Sequence, residues 1–381
     1  MGTAISDVVT TLFPSLVRGW GRAFRPGALN RILTNIAALS VVQAANYLIP
    51  FIVLPYTAAV LGPRAFGLTS LILAATQYSI VLTSYGFGFS GSRQVATAHD
   101  DPRAVSAILA NIWMTKFALM LACLSASLLI LLGVSSLRPA LVPYLCAFLV
   151  VPGTVLHPDW YFQGIERMKC ITLVNVVPRL SLTPLIFLFV KTPSDYPTFL
   201  FIQSLAGLVT GIAGALLALR FLGGHLPAPT IRGVLAQFYQ GWPTFVSVVS
   251  VLLYSSTNTI LLGLLTQPTV VGQYSAGQRI VAAIQCLWTP ISQAVYPWFC
   301  RSFQEESPHA VWALKRLCVF ALALTLPVAL AVTLTAPHVV PLYLGGQYRE
   351  SVTIIQILAF SVTAMATGNV LGIQGLLAVG L

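Results

Sequence analysis

Ten apolar runs follow one another along this chain, and they limit what it can fold into. Cut at charges and turn signals, they are residues 33–60, 66–90, 108–133, 139–158, 170–190, 197–219, 241–264, 271–299, 316–342 and 352–376. A helix crosses the hydrocarbon core of a bilayer with about 20 mostly apolar residues. Longer runs fit by tilting or protruding. Of the 381 residues, 57% are hydrophobic and 8% charged, whereas a soluble domain carries about 25% charged residues. A soluble protein of this size could not hide so much apolar surface. The expected fold is an all-α polytopic membrane protein with about ten transmembrane helices.

Charge orients the spans, because Lys and Arg gather in cytoplasmic connections. With the N-terminus in the cytoplasm, the inner set is Arg18, Arg22, Arg25, Arg31, Arg93, Arg103, Lys116, Arg167, Lys169, Arg220, Arg232, Arg301, Lys315 and Arg316. Lys116 joins this set by snorkelling back to the inner face. The outer set is Arg64, Arg138, Lys191 and Arg349. Fourteen against four is a strong bias, and one missed helix would scramble it. The net charge of +11 therefore reflects topology, and no basic cluster forms a domain for nucleic acid. Ahead of the first span, Val8, Val9, Leu12, Phe13, Leu16, Val17 and Trp20 recur at helical spacing, with Arg18, Arg22 and Arg25 following. Residues 4–24 read as an interfacial helix with its arginines near anionic membrane lipids, or as a poorly ordered basic tail.

Two arginines, Arg179 and Arg279, interrupt otherwise uncharged apolar runs, with no carboxylate in company. A charge inside a membrane is costly, so it usually faces a cavity or a partner and marks a pathway. Arg179 lies roughly 14 Å from either end of its run at 1.5 Å per residue, too deep to snorkel easily. Pro178 before it frees a backbone carbonyl that a guanidinium could satisfy, which is the structural alternative. Arg279 lies about 12 Å from the outer side, where snorkelling is easier. Guanidinium forks two donors onto phosphate oxygens and stays charged when buried. A cationic interior points to an anionic cargo.

Other candidates lie at the ends and bends of spans. Asn46, with Pro50 and Pro55, interrupts the first run, where prolines mark bends. The stretch 158–167, expected as the inner connection between the fourth and fifth spans, holds Asp159, Trp160, Tyr161, Phe162, Gln163 and Glu166. Such rings and acids suit sugar faces and lipid headgroups, though an ordinary aromatic belt looks the same. The substrate-binding candidates are Arg179, Arg279, Asn46, Asp159, Trp160 and Glu166.

Some classes are disfavoured. No connection exceeds about 20 residues, which leaves no room for an extramembrane active site. No P-loop, nucleophile–base pair or His/Cys metal spacing is present, so no cofactor is expected. The six cysteines fall mostly in apolar stretches, as small hydrophobes do. Exporters of cationic drugs would place Asp or Glu deep in a span.

A faint repeat joins the halves. Gly67-Leu-Thr-Ser70 opens the second span and Gly272-Gln-Tyr-Ser275 the eighth. Six spans separate them, and an even number implies parallel repeats, as in transporters made of two similar bundles.

Over most of residues 30–378 the chain resembles the bacterial polysaccharide-transporter flippases, also called O-antigen or repeat-unit flippases. They form part of the multidrug/oligosaccharidyl-lipid/polysaccharide exporter superfamily. The resemblance rests on Asn46-Tyr47-Leu48-Ile49-Pro50, Leu61-Gly62, Phe66-Gly67, Tyr85-Gly86-Phe87, Trp160-Tyr161-Phe162-Gln163-Gly164, Gly241-Trp242-Pro243, Val271-Gly272-Gln273-Tyr274-Ser275-Ala276, Arg279-Ile280 and Leu371-Gly372-Ile373-Gln374. It implies two pseudo-repeated bundles around a central cavity, working by alternating access in a bacterial inner membrane. It also implies an undecaprenyl-diphosphate-linked oligosaccharide as cargo, with a polysaccharide polymerase and chain-length proteins as possible partners. The expected division is a basic amphipathic segment at 1–31, a six-helix bundle at 32–220, a cytoplasmic linker at 221–240 and a second, four-helix bundle at 241–381. The family has about twelve spans in two six-helix halves, so the second bundle reads as incomplete. The alternatives are a drug exporter of the same superfamily, a membrane polysaccharide polymerase and an inactive truncated flippase.

Overall fold

The computed structural model describes residues 26–377 apart from 99, 225, 290, 293–294, 296–298, 300–302 and 304–308. Side chains are described from Leu48 on, Lys169, Tyr254, His309, Leu376 and Leu377 excepted. The amphipathic segment expected at 4–24 and the Asn46 side chain lie outside the described residues.

Among the described residues the regular structure is entirely helical. The helices are α1 (Pro26–Ser84), α2 (Phe87–Thr97), α3 (Pro102–Gly133), α4 (Leu141–Phe148), α5 (Val150–Leu156) and α6 (Asp159–Gly164). They continue with α7 (Met168–Phe189), α8 (Tyr196–Phe221), α9 (Ile231–Leu265), α10 (Pro268–Gln285), α11 (His309–Leu344) and α12 (Glu350–Asn369). A π-helical stretch, Val370–Leu377, extends α12. The chain is thus an all-α polytopic membrane protein. Among the described residues, seven helices are long and apolar enough to cross a membrane, or eight when a pair bent by 44° within α9 counts as one span.

The difference from ten has two sources. Leu48–Thr97 counts as one stretch, although Gly62 (φ 68°, ψ 168°) breaks α1 between the first two expected spans. Pro63 holds Gly62 out of the helical region. The second source is α10, whose Gln273, Ser275, Gln278 and Arg279 accompany its absence from the seven.

Helix starts follow local chemistry. Asp101 caps α3 by accepting from the Arg103 and Ala104 amides at 2.9 and 3.2 Å, with Pro102 in the first turn. Thr230 caps α9 by accepting from the Gly233 amide at 3.1 Å. Thr192 and Asp195 form a reciprocal capping box ahead of α8.

The described chain divides into two compact units. One comprises Leu39–Arg279 with Pro337–Ile354, and the remainder forms the other. In the first, α8 packs against α4, α5 and α7, while α6 packs on α2 and α9 on α3. Lipid supplies no hydrophobic force between helices, so close backbone approach carries their association. At the α5–α8 crossing, a Cβ on Gly153 would strike the Gly207 carbonyl, and one on Gly211 the Gly153 carbonyl. At the α1–α10 crossing, Gly67 meets the Pro268 carbonyl and Gly272 the Pro63 carbonyl. These last two glycines open the two G-x-x-S matches, so the repeat marks a crossing of two backbones.

Near the α2–α6 contact, Trp160, Phe162, Phe87, Val95, Leu109 and Ile112 form a buried cluster. The second unit has its own core of Trp288, Val295, Phe299, Leu317, Ala321 and Val370. There Ser292 donates to Asn369 Oδ1 at 2.6 Å, and Gln374 Nε2 donates to Ser292 Oγ at 2.7 Å.

Candidate functional site

The α5–α6–α7 corner is built by one proline. Pro158 holds His157 extended (φ −75°, ψ 113°) and so ends α5 at Leu156. It also lacks the N–H that would have bonded the Thr154 carbonyl one helical turn back. Lys116, reaching across from α3, fills the vacancy: its Nζ donates to the Thr154 carbonyl at 2.8 Å. The expectation that Lys116 snorkels to the inner face is therefore corrected. It is 5% exposed and turned into the bundle, because an orphaned carbonyl there needs a donor.

The same corner folds Asp159 inward. His157 Nε2 stands 2.6 Å from Asp159 Oδ1. Asn175 on α7 donates to the Ile171 carbonyl at 3.0 Å, and its Nδ2 lies 3.4 Å from Asp159 Oδ1 and 3.2 Å from His157 Nε2. Asp159 acts electrostatically on both Lys116 and Arg179. Arg179 therefore has a carboxylate neighbour, against the expectation that it has none. Its span lacks an acid, but the adjoining corner supplies one. Two cations to one carboxylate leave an excess of positive charge.

The orientation of Arg179 follows from helical phase. Leu173, Val177, Leu180 and Leu188 form the exposed apolar stripe of α7. Asn175 and Arg179, four residues apart, share a different face, directed away from that stripe. Asp159 keeps 41% of its side-chain surface exposed, against 11% for His157, so its carboxylate borders open space.

The other candidates are dispersed. Arg279 stacks on buried Phe66, its guanidinium 4.9 Å from the ring centroid. Tyr348 is its electrostatic neighbour and donates to the Ala58 carbonyl at 3.2 Å. Nearby, Gln273 Nε2 donates to the Gln347 carbonyl at 2.8 Å, and Gln273 Oε1 accepts from the Ser351 hydroxyl at 2.7 Å. The two arginines thus sit in different clusters. Trp160 is 2% exposed, with its ring 3.0 Å from where a Gly91 Cβ would lie. Its ring packs the core and offers no free face to a sugar. Among the described residues, no group of three or more His, Cys, Asp or Glu side chains could hold a metal ion.

Glu166 sits apart from the charge cluster. It terminates α6 in a left-handed conformation (φ 57°). The Arg167 amide donates to the Phe162 carbonyl at 2.9 Å and the Glu166 amide to the Gln163 carbonyl at 3.1 Å. This is a Schellman ending with Glu at the position that glycine usually fills. A left-handed L-residue costs about 1–2 kcal/mol. Lys116, His157 and Asn175, which group with Asp159 here, were not among the sequence candidates. The four-residue spacing of Asn175 and Arg179 was the available signal.

Residues 32–303 match the profile of the family described as "Polysaccharide biosynthesis protein". The chain belongs to that family. Two relatives of the chain carry the name "Putative O-antigen transporter". One, from Escherichia coli (strain K12), is 32% identical over 355 residues, covering 90% of this chain and 83% of its own. The other, from Shigella dysenteriae, is 27% identical over 319 residues, covering 83% and 79%. No solved structure matches the chain.

Proposed function

We propose that the chain is a flippase, not an enzyme. It carries undecaprenyl-diphosphate-linked oligosaccharide repeat units from the inner to the outer leaflet of the bacterial inner membrane. Its product feeds a surface polysaccharide such as O-antigen, capsule or exopolysaccharide. The family and the relatives' names support export of polysaccharide precursors. The observation that carries the reading is Arg179 on the side of α7 away from its apolar stripe, grouped with Lys116 and Asp159. A diphosphate would take Arg179 in a bidentate grip, with Asp159 left to Lys116 and His157. Asp159 does not turn the site into one for a cationic drug, because the flanking cations already balance it.

In this reading the N-terminus is cytoplasmic, and bundles at 32–220 and 241–381, joined through 221–240, rock against one another. Asn46 and Arg279 contribute further polar contacts, and polymerase and chain-length proteins act next to it. The test is complementation of a deletion strain, scored by surface polymer and membrane protein level. Arg179→Ala should lower polymer about tenfold or more, in line with loss of a charged hydrogen bond of about 1.5–3 kcal/mol. Arg179→Lys should recover part of it, since ammonium keeps the charge but not the fork. Wild-type polymer from Arg179→Ala at normal protein level would refute the role.

A further inference from the structure

A cavity of about 520 Å³ opens where the α6–α7 turn meets α2 and the end of α8, lined by Ala96, Tyr161, Ile165, Glu166, Arg167 and Phe221. Arg167 lies about 18 Å along α7 from Arg179 at 1.5 Å per residue, so this space is separate from the charge cluster. Its size falls within the range of small-molecule sites.

Three features say what would fit. The Arg167 guanidinium lies over the Phe221 ring, 4.6 Å from its centroid. That stacking fixes the group and leaves its N–H edges free to donate. Glu166 lines the same cavity, yet among the described residues it forms no ion pair with Arg167. Adjacent opposite charges that stand apart leave room for a ligand carrying both complements. Finally, Glu166 is held left-handed where glycine would be unstrained, and strain of this kind gathers at functional positions.

We propose that this cavity binds the headgroup of a phospholipid bearing a primary ammonium, with its phosphate on Arg167 and its ammonium on Glu166. The Tyr161 hydroxyl, within electrostatic reach of Arg167, adds a donor on the phosphate side. A sugar fits less well: Arg167 covers a Phe221 face, and Tyr161 is 3% exposed. A purely anionic headgroup would meet the Glu166 carboxylate unpaired. Phe221, 40% exposed, gives the acyl chains an apolar flank. The surrounding Arg167 and Arg220 belong to the inner set of basic residues, which assigns the lipid to the inner leaflet.

The test uses the full chain, delipidated in detergent and titrated with phosphatidylethanolamine, phosphatidylcholine or phosphatidylglycerol under native mass spectrometry. Phosphatidylethanolamine should be retained about tenfold more tightly than the other two, roughly 1.4 kcal/mol. Choline's methylated nitrogen cannot donate to Glu166, and glycerol carries no cation. Glu166→Gly and Arg167→Gln should each erase the preference. The glycine variant suits the left-handed backbone, so its unfolding temperature should match or exceed wild type, which separates lost binding from lost fold. Equal retention of the three lipids by wild type, or a preference that survives both substitutions, overturns the proposal. Displacement by water-soluble glycerophosphoethanolamine at equal concentration would overturn the lipid assignment in favour of the free headgroup.

Discussion

Lys116 shows how a single residue can look functional and serve the backbone. Its ammonium replaces the donor that Pro158 removes from the Thr154 carbonyl. Lys116→Met keeps the volume and leaves that carbonyl unpaired, which costs about 1–3 kcal/mol. Thermal unfolding in detergent should register the loss. A variant as stable as wild type but unable to export polymer would move Lys116 from scaffold to cargo site. Glu166 is the converse case: its backbone would be better served by glycine. Glu166→Gly should raise stability by up to about 1 kcal/mol, less the added freedom of glycine in the unfolded chain. An unfolding temperature below wild type would contradict this.

Among the elements, the α5–α8 contact is the most exacting. Gly153, Gly207 and Gly211 bring the two backbones together with no room for a Cβ. Gly211→Leu must force the helices apart, and a core disruption of this kind reaches about 4–5 kcal/mol. The expected outcome is loss of folded protein from the membrane fraction, whereas Gly133→Leu, with open space around it, should be tolerated. Normal folding of Gly211→Leu would mean the crossing is looser than its geometry. The helices themselves were legible from apolar run length. The inward fold of the 158–167 stretch was not. A run of acids and rings at a span boundary reads as a loop at headgroup level, because composition gives depth along the chain but not the direction in which a turn packs. Trp160 was drawn into the site for the same reason, although Gly91 had left a gap for its ring.

For the whole molecule, topology is the decisive measurement. The asymmetry of Lys and Arg survives the reassignment of Lys116, so the argument for the proposed cytoplasmic N-terminus is unchanged. Cysteines placed at Ser135 and at Pro227, both exposed, should respond differently to a membrane-impermeant maleimide on intact spheroplasts. Ser135→Cys should label from outside, and Pro227→Cys only after permeabilisation. The reverse pattern would invert the direction of transport proposed above. The two G-x-x-S segments bear on motion as well as descent. Where Gly67 and Gly272 touch, each helix presents a carbonyl to the other's bare α-carbon. Sliding would drive bulkier neighbours into that gap, while turning about it keeps the contact intact. The α1–α10 crossing is therefore suited to act as a pivot.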